Sequence, residues 1–317
     1  MSSSPPPDGT GDAEDAEVAA SPLGSHVDVL PLHPQPRHAE SLTGYLTRLA
    51  NANGVRAVDA LSALCFSGQD RRIPRAQADY PPRSLAALSA ASGCPQDALL
   101  ATTFHHLAVK FGRSPAPQPL SRFLGGSVAP HLRYCPACLV ESGCHALAWR
   151  FPRLPGCTRH GLYLLDVCEH CGRPIPLIAA PLCIGVCPAC RGDLRTCATS
   201  QLHPTTRRST AAFTRDLAFL LAPRAAPEDD REGARYIGRQ LGRARRARGL
   251  LAADMGMRLG VSLSRVEGME RGNVVERGGS FADYVAYTDC LGLSIRGLFT
   301  SAPDAPDGAH VLSCGGM

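Results

Sequence analysis

Four pairs of potential metal ligands lie between positions 135 and 190, and two residues separate the members of each pair. This spacing lets a tight backbone turn direct both side chains toward one tetrahedral ion. Four half-sites are enough for two complete zinc sites, which would constrain the middle of the chain more strongly than any hydrophobic pattern. The pairs are Cys135 with Cys138, Cys157 with His160, Cys168 with Cys171, and Cys187 with Cys190.

The half-sites can combine sequentially, in a nested arrangement, or crossed. Loop-closure entropy rises slowly with loop length, so it favours the sequential order modestly. Residues 161–167 are apolar and resemble a strand, which would place His160 and Cys168 about 20 Å apart. The sequence therefore predicts one zinc held by the first two pairs and a second zinc held by the last two.

Both predicted zinc sites are interpreted as structural. A catalytic zinc keeps one position open for water, whereas each of these sets supplies four protein ligands. The chain also has no P-loop and no HExxH motif, so we expect a protein that is not an enzyme. Three nearby cysteines, Cys144, Cys183 and Cys197, are interpreted as ordinary thiols, and His170 is expected to face solvent.

Charge is distributed unevenly along the chain. Residues 1–30 carry six acidic side chains and no Lys or Arg, whereas the remainder carries 33 basic and 22 acidic side chains. The net charge of +5 therefore hides a basic body, which suggests an anionic partner such as DNA. An arginine-rich composition can also reflect a GC-rich genome, so charge alone leaves both explanations open.

The sequence also indicates a cellular compartment. No apolar run approaches the roughly 18 residues of a membrane span, and the N-terminus lacks the basic-then-apolar pattern of a signal peptide. We therefore expect a cytoplasmic protein with no membrane association. In a reducing compartment the clustering of many of the 14 cysteines favours metal binding over disulfides.

Apolar periodicity predicts a mainly α fold with small zinc-stabilised β or knuckle elements. Helices are expected over residues 42–49, with a stop at residues 53–54, over residues 58–65, and over residues 97–107 after a turn at Pro95. The predicted divisions are a disordered acidic tail (1–28), a helical unit (29–112), tandem zinc fingers (131–197), a helix and linker (206–233), a second helical domain (234–301) and a flexible tail (302–317).

The order of these motifs resembles the TniQ family of transposition-targeting proteins, over roughly residues 29–205. The resemblance starts in a helical motif, continues through an arginine and a CPxCL knuckle, and ends in C-x2-H-G and C-x2-C-G segments. The matching residues are Pro36, Glu40, Ser41, Tyr45, Arg48, Leu49, Asn53 and Gly54, then Arg133 to Leu139, Glu141 and Trp149, then Cys157, His160, Gly161, Leu164 and Cys168 to Gly172.

The resemblance implies an N-terminal helix-turn-helix followed by tandem zinc fingers. It implies a non-enzymatic adaptor that binds DNA or a target-site complex and helps recruit a transposase and its AAA+ ATPase. An oligomer is compatible with this role. TnsD-like members have long C-terminal extensions that this chain lacks, and it carries a different second module.

That second module, residues 234–301, resembles the lambda-repressor-like (Cro/XRE type) helix-turn-helix, a five-helix type of domain. Its first helix is expected to end at Gly249, and its second to span Leu250 to Leu259. A turn at residues 260–262 then leads to a recognition helix over Leu263 to Arg271. The candidate DNA-binding residues are Arg243, Arg245, Arg246, Ser262, Ser264, Arg265, Glu267 and Arg271.

Two features of this module limit the resemblance. Ala252 stands where the family usually places Gln, and the recognition helix has few base-edge donors besides Arg265. Arginine contacts to phosphate would give affinity with weak sequence specificity. Two other interpretations therefore stay open: a module kept for dimerisation or docking, and a zinc-containing helix-turn-helix transcription regulator.

Overall fold

The computed structural model describes residues 29–56, 64–65, 78–82, 84–178, 183–223, 230–273 and 278–299. About half of these residues are helical, and the strands are few and short. The predicted fold class is therefore confirmed. The predicted tails at 1–28 and 302–317 lie outside the described residues, as does most of the helix predicted over 58–65, where Leu64 and Cys65 alone are described and are helical and buried.

Besides the helical residues Leu64 and Cys65, eleven α-helices and three short 3-10 helices are described. The α-helices are α1 (Leu42–Ala52), α2 (Ala86–Ser92), α3 (Gln96–Leu100), α4 (His105–Lys110), α5 (Pro117–Leu124), α6 (Pro136–Glu141), α7 (Pro204–Leu221), α8 (Asp230–Ala247), α9 (Ala252–Leu259), α10 (Leu263–Glu270) and α11 (Phe281–Cys290). The 3-10 helices are Leu147–Arg150, Leu194–Thr196 and Ile295–Phe299.

Two small antiparallel pairs of strands lie in the cysteine-rich region. Strand β1 (His131–Leu132) pairs with β4 (Ile175–Pro176), and β2 (Gly156–Cys157) pairs with β3 (Leu162–Tyr163). Isolated bridges extend this pairing, including one between Tyr134 and Leu165. The apolar segment after His160 is therefore extended, as predicted.

Helix α1 begins and ends at the residues that the sequence indicates. Ser41 occupies the N-cap, and its hydroxyl accepts a hydrogen bond from the Gly44 amide at 3.1 Å. At the other end Gly54 has a φ of 67°, a conformation that suits glycine. The Asn53 side chain donates to Leu32 O and accepts from Leu32 N, so the helix end also holds the preceding segment.

The helical stretch predicted over residues 97–107 is interrupted. Two helices, α3 and α4, occupy this stretch, with four residues in turns between them. The hydroxyls of Thr102 and Thr103 donate to Leu99 O and Leu100 O. Side-chain hydrogen bonds of this kind compete with continued helical hydrogen bonding, so the helix ends there.

The buried residues form two hydrophobic clusters. The smaller one surrounds α1, α2 and α3, and it includes Leu42, Tyr45 and Leu88. The larger one runs from Ala78 to Leu298 and contains residues of the cysteine-rich region together with residues of the C-terminal helices. The described C-terminal helices therefore share a core with the middle of the chain.

Aromatic rings form the contact between α11 and the middle of the chain. Phe111 lies 5.8 Å from Phe281 and 5.1 Å from Tyr284, measured between ring centroids, and Phe123 lies 6.2 Å from Tyr284. The Arg113 guanidinium lies over the rings of Phe123 and Tyr284 and donates to the Tyr284 hydroxyl at 3.0 Å. The C-terminal helices are therefore held by burial of aromatic surface.

Candidate metal centres and the C-terminal helices

The first four predicted ligands come together in one cluster. The Sγ atom of Cys138 lies 3.5 Å from Cys157 Sγ and 3.3 Å from His160 Nδ1. Cys135 Sγ lies 3.5 Å from the same His160 nitrogen. Zinc bond lengths of about 2.0–2.3 Å in a tetrahedron require ligand atoms about 3.5–3.8 Å apart, so the cluster has the size of a zinc site.

Two tight turns build this first cluster. Cys135 precedes α6, and Pro136 at the first helical position turns the chain so that Cys138 follows on the same side. Cys157 ends β2, and the Gly161 amide donates to Cys157 O at 2.8 Å. Gly161 has a φ of 68°, which brings His160 back toward Cys157.

The imidazole of His160 is oriented by a carboxylate. Its Nε2 atom lies 2.9 Å from Glu141 Oε1, and Arg159 pairs with the other oxygen of Glu141 at 2.8 Å. An ionised carboxylate can only accept, so Nε2–H donates, and this hydrogen bond lowers the pKa of Glu141. The lone pair of Nδ1 then points at the three cysteines, as in metal-bound histidines that donate to a carboxylate.

The last four predicted ligands form the second cluster. Cys168 Sγ lies 3.7 Å from Cys190 Sγ, and Cys171 Sγ lies 3.8 Å from Cys187 Sγ. These separations match the edge of a tetrahedral four-thiolate zinc site. All four ligand atoms lie within 4.8 Å of one another, as they do in the first cluster.

The turns of the second cluster resemble each other. The Gly172 amide donates to Cys168 O at 2.7 Å, and the Arg191 amide donates to Cys187 O at 2.9 Å. Both residues have positive φ, 67° for Gly172 and 63° for Arg191. A left-handed backbone conformation costs conformational energy at an arginine. The hydrogen bond to Cys187 O and the ligands on either side of the turn therefore hold Arg191 in this conformation.

The two clusters differ in exposure. In the first, the three cysteines are buried, whereas in the second Cys190 is exposed and Cys171 is partly exposed. In the first cluster, hydrogen bonds from the thiols of Cys135 and Cys138 lower the pKa of Cys157. A bound cation would stabilise the remaining cysteines as thiolates too.

The donor sets fit zinc. Three thiolates with one imidazole, and four thiolates, are the usual ligands of structural zinc. Each cluster groups the ligands that the sequence pairs sequentially. In the described residues Cys144, Cys183 and Cys197 join neither cluster, and His170 is exposed with its Nε2 3.0 Å from Asp193 O.

Motif residues of the N-terminal segment have structural partners. Glu40 is fully buried and forms two hydrogen bonds with Arg48, at 2.7 and 2.6 Å. The same carboxylate accepts from the Arg37 amide. This bidentate pair holds the segment before α1 against the helix.

Arg133, just before the first knuckle, has a comparable role. Its guanidinium donates to the carbonyls of Phe151 and Leu154, at 2.8 and 3.0 Å. Burial lowers the pKa of this arginine. It ties the first knuckle to the loop that leads to Cys157, so the metal ligands are positioned from both sides.

One buried polar pair escaped the sequence interpretation. Asp79 is fully buried, accepts from the Thr43 amide at 2.8 Å and pairs with the buried Arg150. Arg150 also donates to Ala129 O at 3.1 Å. No motif or spacing connects two residues so far apart in the chain, so the sequence carries no signal for this pair.

Helices α9 and α10 are joined by a tight turn. Gly260 has a φ of 65°, and Ser262 stands at the N-cap of α10. The Ser262 hydroxyl lies 3.1 Å from Ser264 Oγ and makes no capping hydrogen bond to the helix amides. Val266 and Met269 are buried in the core, and both helices are slightly shorter than predicted.

Two of the candidate DNA-binding residues are engaged within the protein. Arg245 is buried and donates to both carboxylate oxygens of Glu270, at 2.6 and 2.8 Å. In this fold the Arg245 guanidinium is therefore occupied by Glu270, which counts against a phosphate contact. Arg265 donates twice to Asp283 Oδ2, at 3.0 and 2.6 Å, which constrains the best candidate for base contact.

The other candidate residues lie at the surface to different extents. Glu267 is partly exposed and pairs with Arg271 at 3.0 Å across one helical turn. The exposed candidates are Arg243, Arg246, Ser262, Ser264 and Arg271. Their role in DNA binding stays a prediction.

Comparison with known proteins bears on the first part of the chain. No helix in the described ranges has the length and apolar character of a membrane span. No curated protein matches the chain. One family model matches residues 31–164. These residues include the first metal cluster, whereas the second cluster and the C-terminal helices lie beyond them. The family model is described as TniQ, so this part of the chain is similar to TniQ proteins.

Proposed function

We propose that this protein is a non-enzymatic adaptor of the TniQ type that helps direct a transposition machinery to target DNA. The observation that carries the proposal is the TniQ match over residues 31–164, which supports a transposition-associated role. Its partners would be DNA and a transposition AAA+ ATPase, a transposase or a target-site complex. Such a protein would act in the cytoplasm.

The clusters support a docking role. Each has four protein ligand atoms within 4.8 Å of one another. Four protein ligands fill a tetrahedral zinc site and leave no open position for a substrate or an activated water. We infer two structural zinc ions, whose binding free energy contributes to folding. Their expected role is to hold the surrounding residues in one conformation.

The C-terminal helices support a contact to DNA. Their arrangement, two helices joined by the turn at residues 260–262, is consistent with the lambda-repressor-like module. Exposed arginines on α8, among them Arg243 and Arg246, supply positive charge. This part of the chain would add DNA affinity to the adaptor.

The test is co-purification of the full chain with the AAA+ ATPase and the transposase encoded beside it. We expect the ATPase to be retained at 150 mM salt. A Glu40→Gln variant loses the ion pair with Arg48 inside the region that matches the TniQ model, so it should retain less ATPase. Arg271→Gln lies outside that region and should retain as much ATPase as the wild type.

A transcription regulator predicts a different result. The full chain would then retain neither protein and would bind its own promoter with a specificity ratio above about 10³ over unrelated DNA. That outcome would replace the adaptor proposal.

A further inference from the structure

Four arginines form one stripe along α8. Arg235, Arg239, Arg243 and Arg246 are all exposed. At about 100° and 1.5 Å per residue, they fall within about 80° of helix surface and extend over about 16 Å. Residues 233–248 contain no acidic side chain, so the stripe is a continuous positive surface.

The opposite face of α8 is fixed against α10. A side chain at Gly238 would come within 2.5 Å of Glu270 O, so the backbones approach closely there. Ile237 and Leu241 are buried on the same side, and Arg245 pairs with Glu270. These contacts fix the rotation of α8, so the stripe lies outside the contact with α10, and only the Arg246 guanidinium passes over Gly242 beside Glu270.

The recognition helix offers little to read bases with. Arg265 is bonded to Asp283, and Glu267 is paired with Arg271. At the start of α10 the exposed side chains are Leu263 and Ser264, an apolar group and a short hydroxyl. Direct readout needs long donors or acceptors that reach base edges. The best candidate on α10, Arg265, is already bonded to Asp283.

We propose that the arginine stripe of α8 is the main DNA-binding surface and that it grips the phosphate backbone of duplex DNA without regard to base sequence. The inference rests on the proposed function, because it names the DNA contact of the adaptor. Arginines recur about every 6 Å along the helix. Guanidinium groups bind both phosphates and carboxylates in a bidentate manner. The even spacing of the stripe fits the regular charge of a duplex backbone, which favours a nucleic acid over an acidic protein.

The test compares two full-length variants that each lose four positive charges. In the stripe variant, Arg235, Arg239, Arg243 and Arg246 become Gln. In the matched control, four exposed arginines on other elements become Gln, namely Arg122, Arg173, Arg208 and Arg215. Binding of two 30-base-pair duplexes of unrelated sequence is measured by fluorescence anisotropy between 50 and 200 mM salt.

We expect the wild-type chain to bind both duplexes with similar affinity. The stripe variant should lower the slope of log K against log salt by about 3 to 4, since each lost phosphate contact removes about 0.9. The control should change the slope by less than about 1. Circular dichroism should show equal helix content in all three proteins, because the substituted side chains are exposed.

Three outcomes would overturn the inference. Equal slopes for the stripe variant and the control would mean that net charge alone drives binding. Wild-type slope in the stripe variant, with loss of binding in Ser264→Ala, would place the contact on α10 and leave the adaptor proposal intact. Binding to poly-L-glutamate but to neither duplex would indicate an acidic protein partner and would also count against DNA binding by the adaptor.

Discussion

Asp79 and Arg150 form a buried ion pair between the two hydrophobic clusters. The carboxylate of Asp79 reaches Arg150 with one oxygen and accepts from the Thr43 amide, near the start of α1, with the other. The pair therefore fixes helix α1, in the region that matches the TniQ model, to the core that contains the metal ligands.

Replacing Asp79 by Asn should lower the free energy of unfolding by about 3–5 kcal/mol, because it removes the carboxylate that pairs with the buried Arg150 charge. Urea denaturation would show this as a lower midpoint at an unchanged slope. Glu267→Gln, which removes an exposed pair, is the control and should cost less than about 0.5 kcal/mol. Equal effects of the two changes would contradict the structural role of Asp79.

The protein should bind two zinc ions per chain, and the second cluster should release its ion first. Cys190 is exposed there, whereas the cysteines of the first cluster are buried, so a chelator reaches the second ion more easily. Native mass spectrometry would count the ions, and a chromogenic chelator would follow their release in two phases. Cys187→Ser should remove the fast phase, and Cys183→Ser should leave both phases unchanged.

Glu141 should tune the first metal site. Glu141→Gln weakens the acceptor for His160 Nε2–H, and loss of such a partner typically lowers metal affinity about 10- to 100-fold. Competition with a chelator of known affinity would measure this change at the first site. Arg159→Gln keeps the hydrogen bond between Glu141 and His160, so the metal affinity of this variant should stay within about threefold of wild type. A loss as large as that of Glu141→Gln would mean that the charges around the site, and not this hydrogen bond, set the metal affinity.

Arg245 and Arg243 should have opposite effects. Arg245→Gln removes the partner of Glu270 and should destabilise the protein by about 3 kcal/mol with little change in the salt dependence of DNA binding. Arg243→Gln lies on the exposed face and should lower the salt slope by about 0.9 with unchanged stability. Thermal unfolding and anisotropy titrations on the same two proteins distinguish these roles.

His145 should make the fold sensitive to acid. Burial lowers its pKa to about 4, whereas an unfolded histidine has a pKa near 6.5. Between these values the unfolded chain binds a proton that the folded chain does not, so stability is complete above pH 6.5 and falls as the pH drops toward 4. At pH 4.5 the loss should reach about 2–3 kcal/mol.

The measurement for His145 is urea denaturation at pH 7 and pH 4.5. The ring centroids of His145 and Trp149 are 6.5 Å apart. His145→Phe keeps an aromatic ring at this position but removes the group that binds the proton, so the stability of this variant should fall less between the two pH values. The exposed His203 serves as a control, and His203→Gln should follow the wild-type curve. If His145→Phe also followed the wild-type curve, the acid sensitivity would lie elsewhere.

The sequence predicted the eight ligands because spacing within a knuckle is a local property, and it predicted their grouping because the segment after His160 is extended. The cap and stop of α1 were predictable for the same reason. Counting arginines did not predict the burial of Arg245. Helical periodicity would have predicted it, because Arg245 lies on the same face of α8 as Ile237 and Leu241. Asp79 and Arg150 lie 71 residues apart, and only the fold brings them together.

The aromatic contact between α11 and the middle of the chain restricts how this protein can evolve. A DNA-binding module on a loose tether can be exchanged between relatives by recombination without further change. Here an incoming module would have to bring residues equivalent to Phe281 and Tyr284 to cover Phe111 and Phe123. The C-terminal helices and the α4–α5 segment should therefore be inherited as a matched set, and hybrids that combine them from different parents should fold poorly.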